Sequence, residues 1–153
     1  MDKWQGYRWV LGAVPVKLSD FIKRGQVRKA TKDVALIKSL ILMTESDLRF
    51  LENTKIDGDS ARKVMSNYYD CIRSIIEALA LEEGYKVYSH EAFTIFLEEK
   101  DENLLAQKFD RFRKIRNGIN YYGKLISPDE VQEHKEEIKK MIGQLKQKYL
   151  NKI

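Results

Sequence analysis

"SARKVMSNYYDCIRSIIEALALEEG", residues 60–84, is the stretch from which the fold is read. Val64, Tyr68, Cys71, Ile75 and Leu79 are spaced 4, 3, 4 and 4 apart, which is the repeat of one helix face, and Ile72 and Ile76 widen the stripe. Asp59 or Ser60 caps its start and Gly84 stops its end. Upstream, Val34, Ile37, Ile41, Thr44, Leu48 and Leu51 follow a 3, 4, 3, 4, 3 spacing, with Thr31 as the expected N-cap. "TKIDGDS" breaks the chain between the two helices with Asp-Gly turn chemistry.

Downstream, Ser89 caps a shorter helix with Glu91 in its first turn. A further helix is expected from about Glu102 to Tyr121 on Leu105, Phe109, Phe112, Ile115 and Ile119. The last opens with "SPDE", where Ser127 caps, Pro128 takes the first helical position and Glu130 completes a capping box. It runs to near Leu150 on Val131, Ile138, Ile142, Leu145 and Tyr149. "VKLSDFIKRG" reads as a short helix ended by Gly25, and residues 1–16 give no clear period. No segment shows a strand period. The expectation is an all-α, up-and-down bundle of four to five helices in one domain, residues 1–153. Within it, 31–151 form the bundle and 1–30 a short N-terminal helical or irregular extension.

Composition narrows the class. With 43% hydrophobic and 33% charged residues the chain reads as globular, and no apolar run reaches membrane-spanning length. One cysteine, Cys71, excludes an internal disulfide and fits a reducing cytoplasm, the expected location; its place in the stripe makes it core. There is no glycine-rich phosphate loop and no zinc-type Cys/His spacing, so neither metal nor cofactor is expected. His90 beside its cap and His134 near the last stripe read as structural. The net charge of +5 is concentrated in two segments. Lys17, Lys23, Arg24, Arg28, Lys29 and Lys32 face only Asp20 within 17–32; Lys108, Arg111, Arg113, Lys114, Arg116 and Lys124 face only Asp110 within 108–124. They make either one patch for a polyanion or two solvated faces.

The second segment contains "RKIRNGINYYGK", residues 113–124. On a helix advancing about 100° per residue, Arg116 falls at the edge of the Phe109, Phe112 and Ile119 stripe, with Asn120 one turn on. A guanidinium beside an apolar face needs a carboxylate or a cleft. Asp70 and Glu77 are the expected partners if it is a structural ion pair, and its fork of donors suits a phosphate if it is not. Tyr121 and Tyr122 cannot both face the core, so one is free to stack on a base or to sit at a dimer contact.

Three stretches, residues 21–51, 60–99 and 108–124, together resemble the HEPN (higher eukaryotes and prokaryotes nucleotide-binding) domain in its compact prokaryotic or archaeal form, chiefly through "GYKVYSHEA" and "RKIRNGINYYG". The resemblance implies a helical bundle, a homodimer, and a metal-independent RNase site built from an arginine, often a polar residue after it, and a histidine following four to six intervening residues. Arg116 and Asn117 match the first two. The histidine position falls on Tyr121, Tyr122 or Gly123, so the motif departs where proton transfer is needed. An ordinary phenol, with a pKa near 10, does not replace an imidazole easily. The resemblance therefore implies a nucleotide- or RNA-interacting protein with a degenerate RNase motif. Arg116, Tyr121 and Tyr122 are the candidate catalytic residues; Arg113, Asn117, Asn120 and Lys124 are the candidate nucleotide-binding ones. It also implies, for some members, a toxin–antitoxin pairing with a minimal nucleotidyltransferase. The alternatives are an active RNase using the variant motif and a non-enzymatic homodimeric assembly module.

Overall fold

The computed structural model describes residues 9–10 and 14–153. In chain order its elements are β1 (Trp9–Val10), β2 (Val14–Pro15), α1 (Leu18–Lys23), β3 (Val27–Lys29), α2 (Val34–Glu52), α3 (Ala61–Glu82), β4 (Tyr85–Val87), α4 (His90–Glu99), α5 (Asn103–Tyr122) and α6 (Pro128–Tyr149). The architecture is the all-α bundle that the apolar spacings require. Helix α3 is its axis: thirteen of its 22 residues are buried, among them Tyr68, Tyr69, Ile72, Ile75 and Ile76. Helix α2 packs along one side of α3, α6 along another, and α4 and α5 pack against α3 and each other. Cys71 is buried in this core, and burial pushes its thiol up to about 12. Among the described residues no helix is long and apolar enough to cross a membrane.

The helix ends follow their local chemistry. At α6 the Ser127 hydroxyl accepts from the Glu130 N–H at 3.1 Å and the Glu130 carboxylate accepts from the Ser127 N–H, with Pro128 first in the helix. At α5, Gly123 takes the left-handed conformation, φ 63°, that ends the helix at little steric cost. The start of α2 differs from expectation. Asp33, not Thr31, is the N-cap, and its carboxylate accepts from the Leu36 N–H at 3.0 Å.

Two further differences concern the N-terminal segment. No strand is expected from the sequence pattern, yet β3 and β4 pair antiparallel with Val27 opposite Val87, Arg28 opposite Lys86 and Lys29 opposite Tyr85. Strands of three residues are too short to display an alternation. Gly84 makes the pairing possible. Its φ is +87°, its carbonyl accepts from the Ala30 N–H at 2.8 Å, and a Cβ there would lie 3.3 Å from the Ala30 carbonyl oxygen. β1 and β2 also pair, Trp9 with Pro15 and Val10 with Val14, inside the stretch 1–16, of which residues 1–8 and 11–13 lie outside the described residues. The N-terminal extension packs onto the bundle. Val16, Leu18, Phe21 and Val27 are buried in the main core, and the Leu18 N–H donates to Glu99 of α4 at 2.6 Å.

The fold settles where the basic segments lie. The first packs onto α4 through α1, the second is α5 itself, and α5 also packs on α4. Helix α4 is thus the shared support of both.

Candidate functional site

Helix α5 carries every residue singled out in residues 113–122. Arg116 is half-buried, as its position at the stripe edge requires. Its Nη1 donates to the Asn117 side-chain oxygen and to the Tyr121 hydroxyl, both at 3.2 Å. The guanidinium carbon lies 5.6 Å from the ring centre of Tyr69 on α3 and 5.5 Å from that of Tyr121, so two phenol rings flank it. Its Nε is buried and bonds to nothing described, and no described carboxylate comes within ion-pair distance. The expected partners are otherwise engaged. Glu77 accepts from Arg73 at 2.9 Å and Asp70 lies 3.9 Å from the same guanidinium. An arginine three or four residues away on the same helix reaches these carboxylates before one on another helix does.

The remaining candidates separate. Asn120, exposed, accepts from the Ser66 hydroxyl of α3 at 3.1 Å, so it ties α5 to α3 one turn beyond Arg116. Arg113 is only 5% exposed and is held by Asp110 through Nε at 3.0 Å and Nη2 at 2.9 Å. That carboxylate also accepts from Thr94 of α4 at 3.3 Å and lies 3.2 Å from the Lys114 ammonium. Arg113 therefore clamps α4 to α5 and does not stand on the open side with Arg116. Tyr121 and Tyr122 are 68% and 78% exposed, so neither packs in the core, and only Tyr121 contacts Arg116. The stem of Lys124 lies over Gly118, where an added Cβ would come within 3.0 Å of it. Lys124 thereby lines a separate cavity of about 700 Å³ with Arg111, Lys114, Ile115 and Ile119.

Two participants do not follow from the sequence pattern. Tyr69, fully buried, bonds through its hydroxyl to Nδ1 of His90 at 2.8 Å, and the two rings stack at 5.7 Å. His90 is more than a structural neighbour of the Ser89 cap: it reaches Arg116 through the one intervening Tyr69 ring. Burial lowers His90 to about 4, and Arg73, Arg116 and Arg113 push the same way, so its imidazole is neutral at pH 7. Burial also pushes the Tyr69 phenol well above its ordinary value, so the phenol stays protonated. The hydroxyl and Nδ1 share one hydrogen bond whose donor is set by the imidazole tautomer, and Nε2 bonds to no described residue. The signal for this in the sequence is the polar line Ser66, Tyr69, Arg73 and Glu77 on an otherwise apolar helix.

The Arg116 guanidinium stands without a described counter-ion between the Tyr69 and Tyr121 rings, whereas the nearby Arg73 and Arg113 have carboxylates of their own. Among the described residues no group of His, Cys, Asp and Glu side chains is arranged to hold a metal ion. No family model matches the chain, and no curated protein and no solved structure shows significant similarity to it.

Proposed function

We propose that the chain is a HEPN-like protein that binds RNA or a nucleotide through phosphate at Arg116. The observation that carries this reading is the Arg116 guanidinium, half-buried, with a buried Nε that bonds to nothing described and with no ion-pair carboxylate. An arginine so placed loses hydration without gaining a counter-ion, and a phosphate oxygen restores both. Asn117 fixes the fork and Tyr121 frames it. The motif position carries Tyr121 in place of a histidine, and without an imidazole there to move a proton the site is better suited to binding than to cleavage.

The test is RNA binding by fluorescence anisotropy, with cleavage followed in parallel from about pH 6 to about pH 9 without added metal. Wild type binds and does not cleave. Arg116→Ala weakens binding roughly ten-fold or more, since a hydrogen bond to a charged group contributes about 1.5–3 kcal/mol. Equal binding by folded Arg116→Ala protein overturns the reading. Cleavage abolished by that substitution would establish instead the active, metal-independent RNase, which the presence of an imidazole one ring away from Arg116 favours.

A homodimer belongs to the same proposal, as does a nucleotidyltransferase partner acting on an exposed tyrosine, for which Tyr122 is suited, the Tyr121 hydroxyl already accepting from Arg116. The non-enzymatic assembly reading draws on α2, where Leu36, Met43 and Phe50 lie seven residues apart and exposed. That spacing suits a second, identical helix.

A further inference from the structure

The β3–β4 ladder sets two cations against each other. Arg28 and Lys86 are direct cross-strand partners, and both are exposed. Val27 and Val87 on the opposite face of the ribbon are buried, which fixes the register and holds the two charges outward. Like charges directly opposite one another destabilise a strand pair. No described carboxylate pairs with Arg28, Lys29 or Lys86, although the chain has carboxylates enough to pair cations elsewhere: Lys32, three residues beyond β3, holds Glu82 at 2.6 Å. The two charges converge on an aromatic ring instead. The Arg28 guanidinium carbon lies 5.5 Å and the Lys86 ammonium 5.8 Å from the ring centre of Tyr88. Tyr88 is 55% exposed, and its N–H donates to the Gln26 carbonyl at 2.8 Å, so its backbone is held as a continuation of the ladder.

An open aromatic ring on a rigid backbone, flanked by two unneutralised cations, has the components of a single-strand stacking platform: the ring takes a base and the cations take the phosphates on either side. The ribbon is also joined to the Arg116 cluster through the interior. Tyr88 stands two residues before His90, a reach of about 7 Å at most. His90 meets Tyr69 at 2.8 Å, and Tyr69 lies 5.6 Å from Arg116.

We infer that Tyr88, Arg28 and Lys86 form a base-stacking and phosphate-binding platform for single-stranded RNA, separate from the contact at Arg116. This rests on the nucleic-acid reading proposed above and adds to it the substrate form, single-stranded, and a second set of contacts. A duplex keeps its bases stacked inside and offers the ring nothing, whereas a single strand presents a base face.

The experiment measures binding of a short fluorescein-labelled single-stranded RNA, its duplex, and an abasic strand of equal length, at several salt concentrations. The proteins compared are wild type, Tyr88→Ala, Tyr88→Phe, the double variant Arg28→Ala/Lys86→Ala, and Arg116→Ala. Tyr88→Ala weakens single-strand binding by about five-fold or more, Tyr88→Phe keeps it, and neither alters binding of the abasic strand. The double variant lowers the slope of log affinity against log salt by about 0.7 for each phosphate it no longer neutralises. Its melting temperature is unchanged or raised, because a cross-strand repulsion has been removed. If Arg116→Ala weakens binding while folded Tyr88 and Arg28/Lys86 variants match wild type, the platform is overturned and the Arg116 reading stands. If the ribbon variants weaken binding and Arg116→Ala does not, the platform stands and the Arg116 reading fails. Equal affinity for single-stranded, duplex and abasic forms reduces the ribbon to a charged patch and overturns the inference, and no binding by wild type overturns both.

Discussion

His90 sits where three helices meet: its imidazole bonds to the Tyr69 hydroxyl of α3 and lies near the Phe93 ring of α4, and Arg73 of α3 with Arg113 and Arg116 of α5 act on its charge. An unfolded histidine titrates near 6.5, and in the folded chain burial, with the three arginines, holds this one near 4. Between those values the unfolded chain carries a proton that the folded chain does not. Stability from this group is therefore complete above about pH 6.5 and is lost as pH falls toward about 4. Urea unfolding across that range should show stability declining with acidity, and His90→Gln should flatten the decline. His134, also lowered first by burial, leaves a residual slope of the same sign. An equally steep decline in His90→Gln would show that the imbalance lies elsewhere. The same residues show what the sequence could and could not disclose. Arg116 was legible because its angle on the helix wheel follows from covalent geometry. Its neighbours were not, because the adjacency of Tyr69 and His90 arises from the packing of α3, α4 and α5. The assignment of Asp70 and Glu77 to Arg116 failed for a local reason: Arg73, within a turn of both on α3, engages them first.

Among the elements, the long helices were legible and the strands were not. Each helix repeats its apolar period over several turns, while β3 and β4 have three residues each and owe their existence to a partner sixty positions away. Helix starts were partly legible. The capping box at Ser127 is a fixed four-residue pattern and stands out in the sequence, whereas Thr31 and Asp33 are both good caps and only the path of the chain chooses between them. The cap matters at α2 because this helix packs mainly on α3 and leaves much of its surface to solvent. Asp33→Ala should cost about 1 kcal/mol in chemical denaturation, and Asp33→Asn, which keeps the accepting oxygen, should cost little. Equal stability of Asp33→Ala and wild type would mean that water satisfies the Leu36 N–H as well as the carboxylate does.

At the scale of the whole molecule the asymmetry of α2 has its own consequence. One face joins α3 through Ile37, Thr44 and Leu51, and ion pairs to α6, Glu45 with Lys146 and Glu52 with Lys139 and Lys135, brace its flank. Exposed pairs of this kind contribute little. Beyond them Met43 and Phe50 remain 61% and 66% exposed. If a second copy covers this stripe, light scattering after size exclusion gives a dimer mass for wild type and a monomer mass for Met43→Glu/Phe50→Glu, with the helical circular dichroism unchanged. A wild-type monomer at micromolar concentration would remove α2 as a dimer face.

The β3–β4 ladder carries a consequence for the order in which the molecule is built. Its two strands are sixty residues apart in sequence, with the whole of α2 and α3 between them. Those helices form from local contacts and can dock as a pair early; the ladder must wait until their ends have come round to the same place. The sequence separation of Val27 and Val87 leads us to expect their pairing to close late in folding. Interactions absent from the folding transition state act on unfolding and leave the folding rate alone. A strand of RNA lying across Arg28, Lys86 and Tyr88 would hold that closure shut, lengthening the lifetime of the folded chain without hastening its formation.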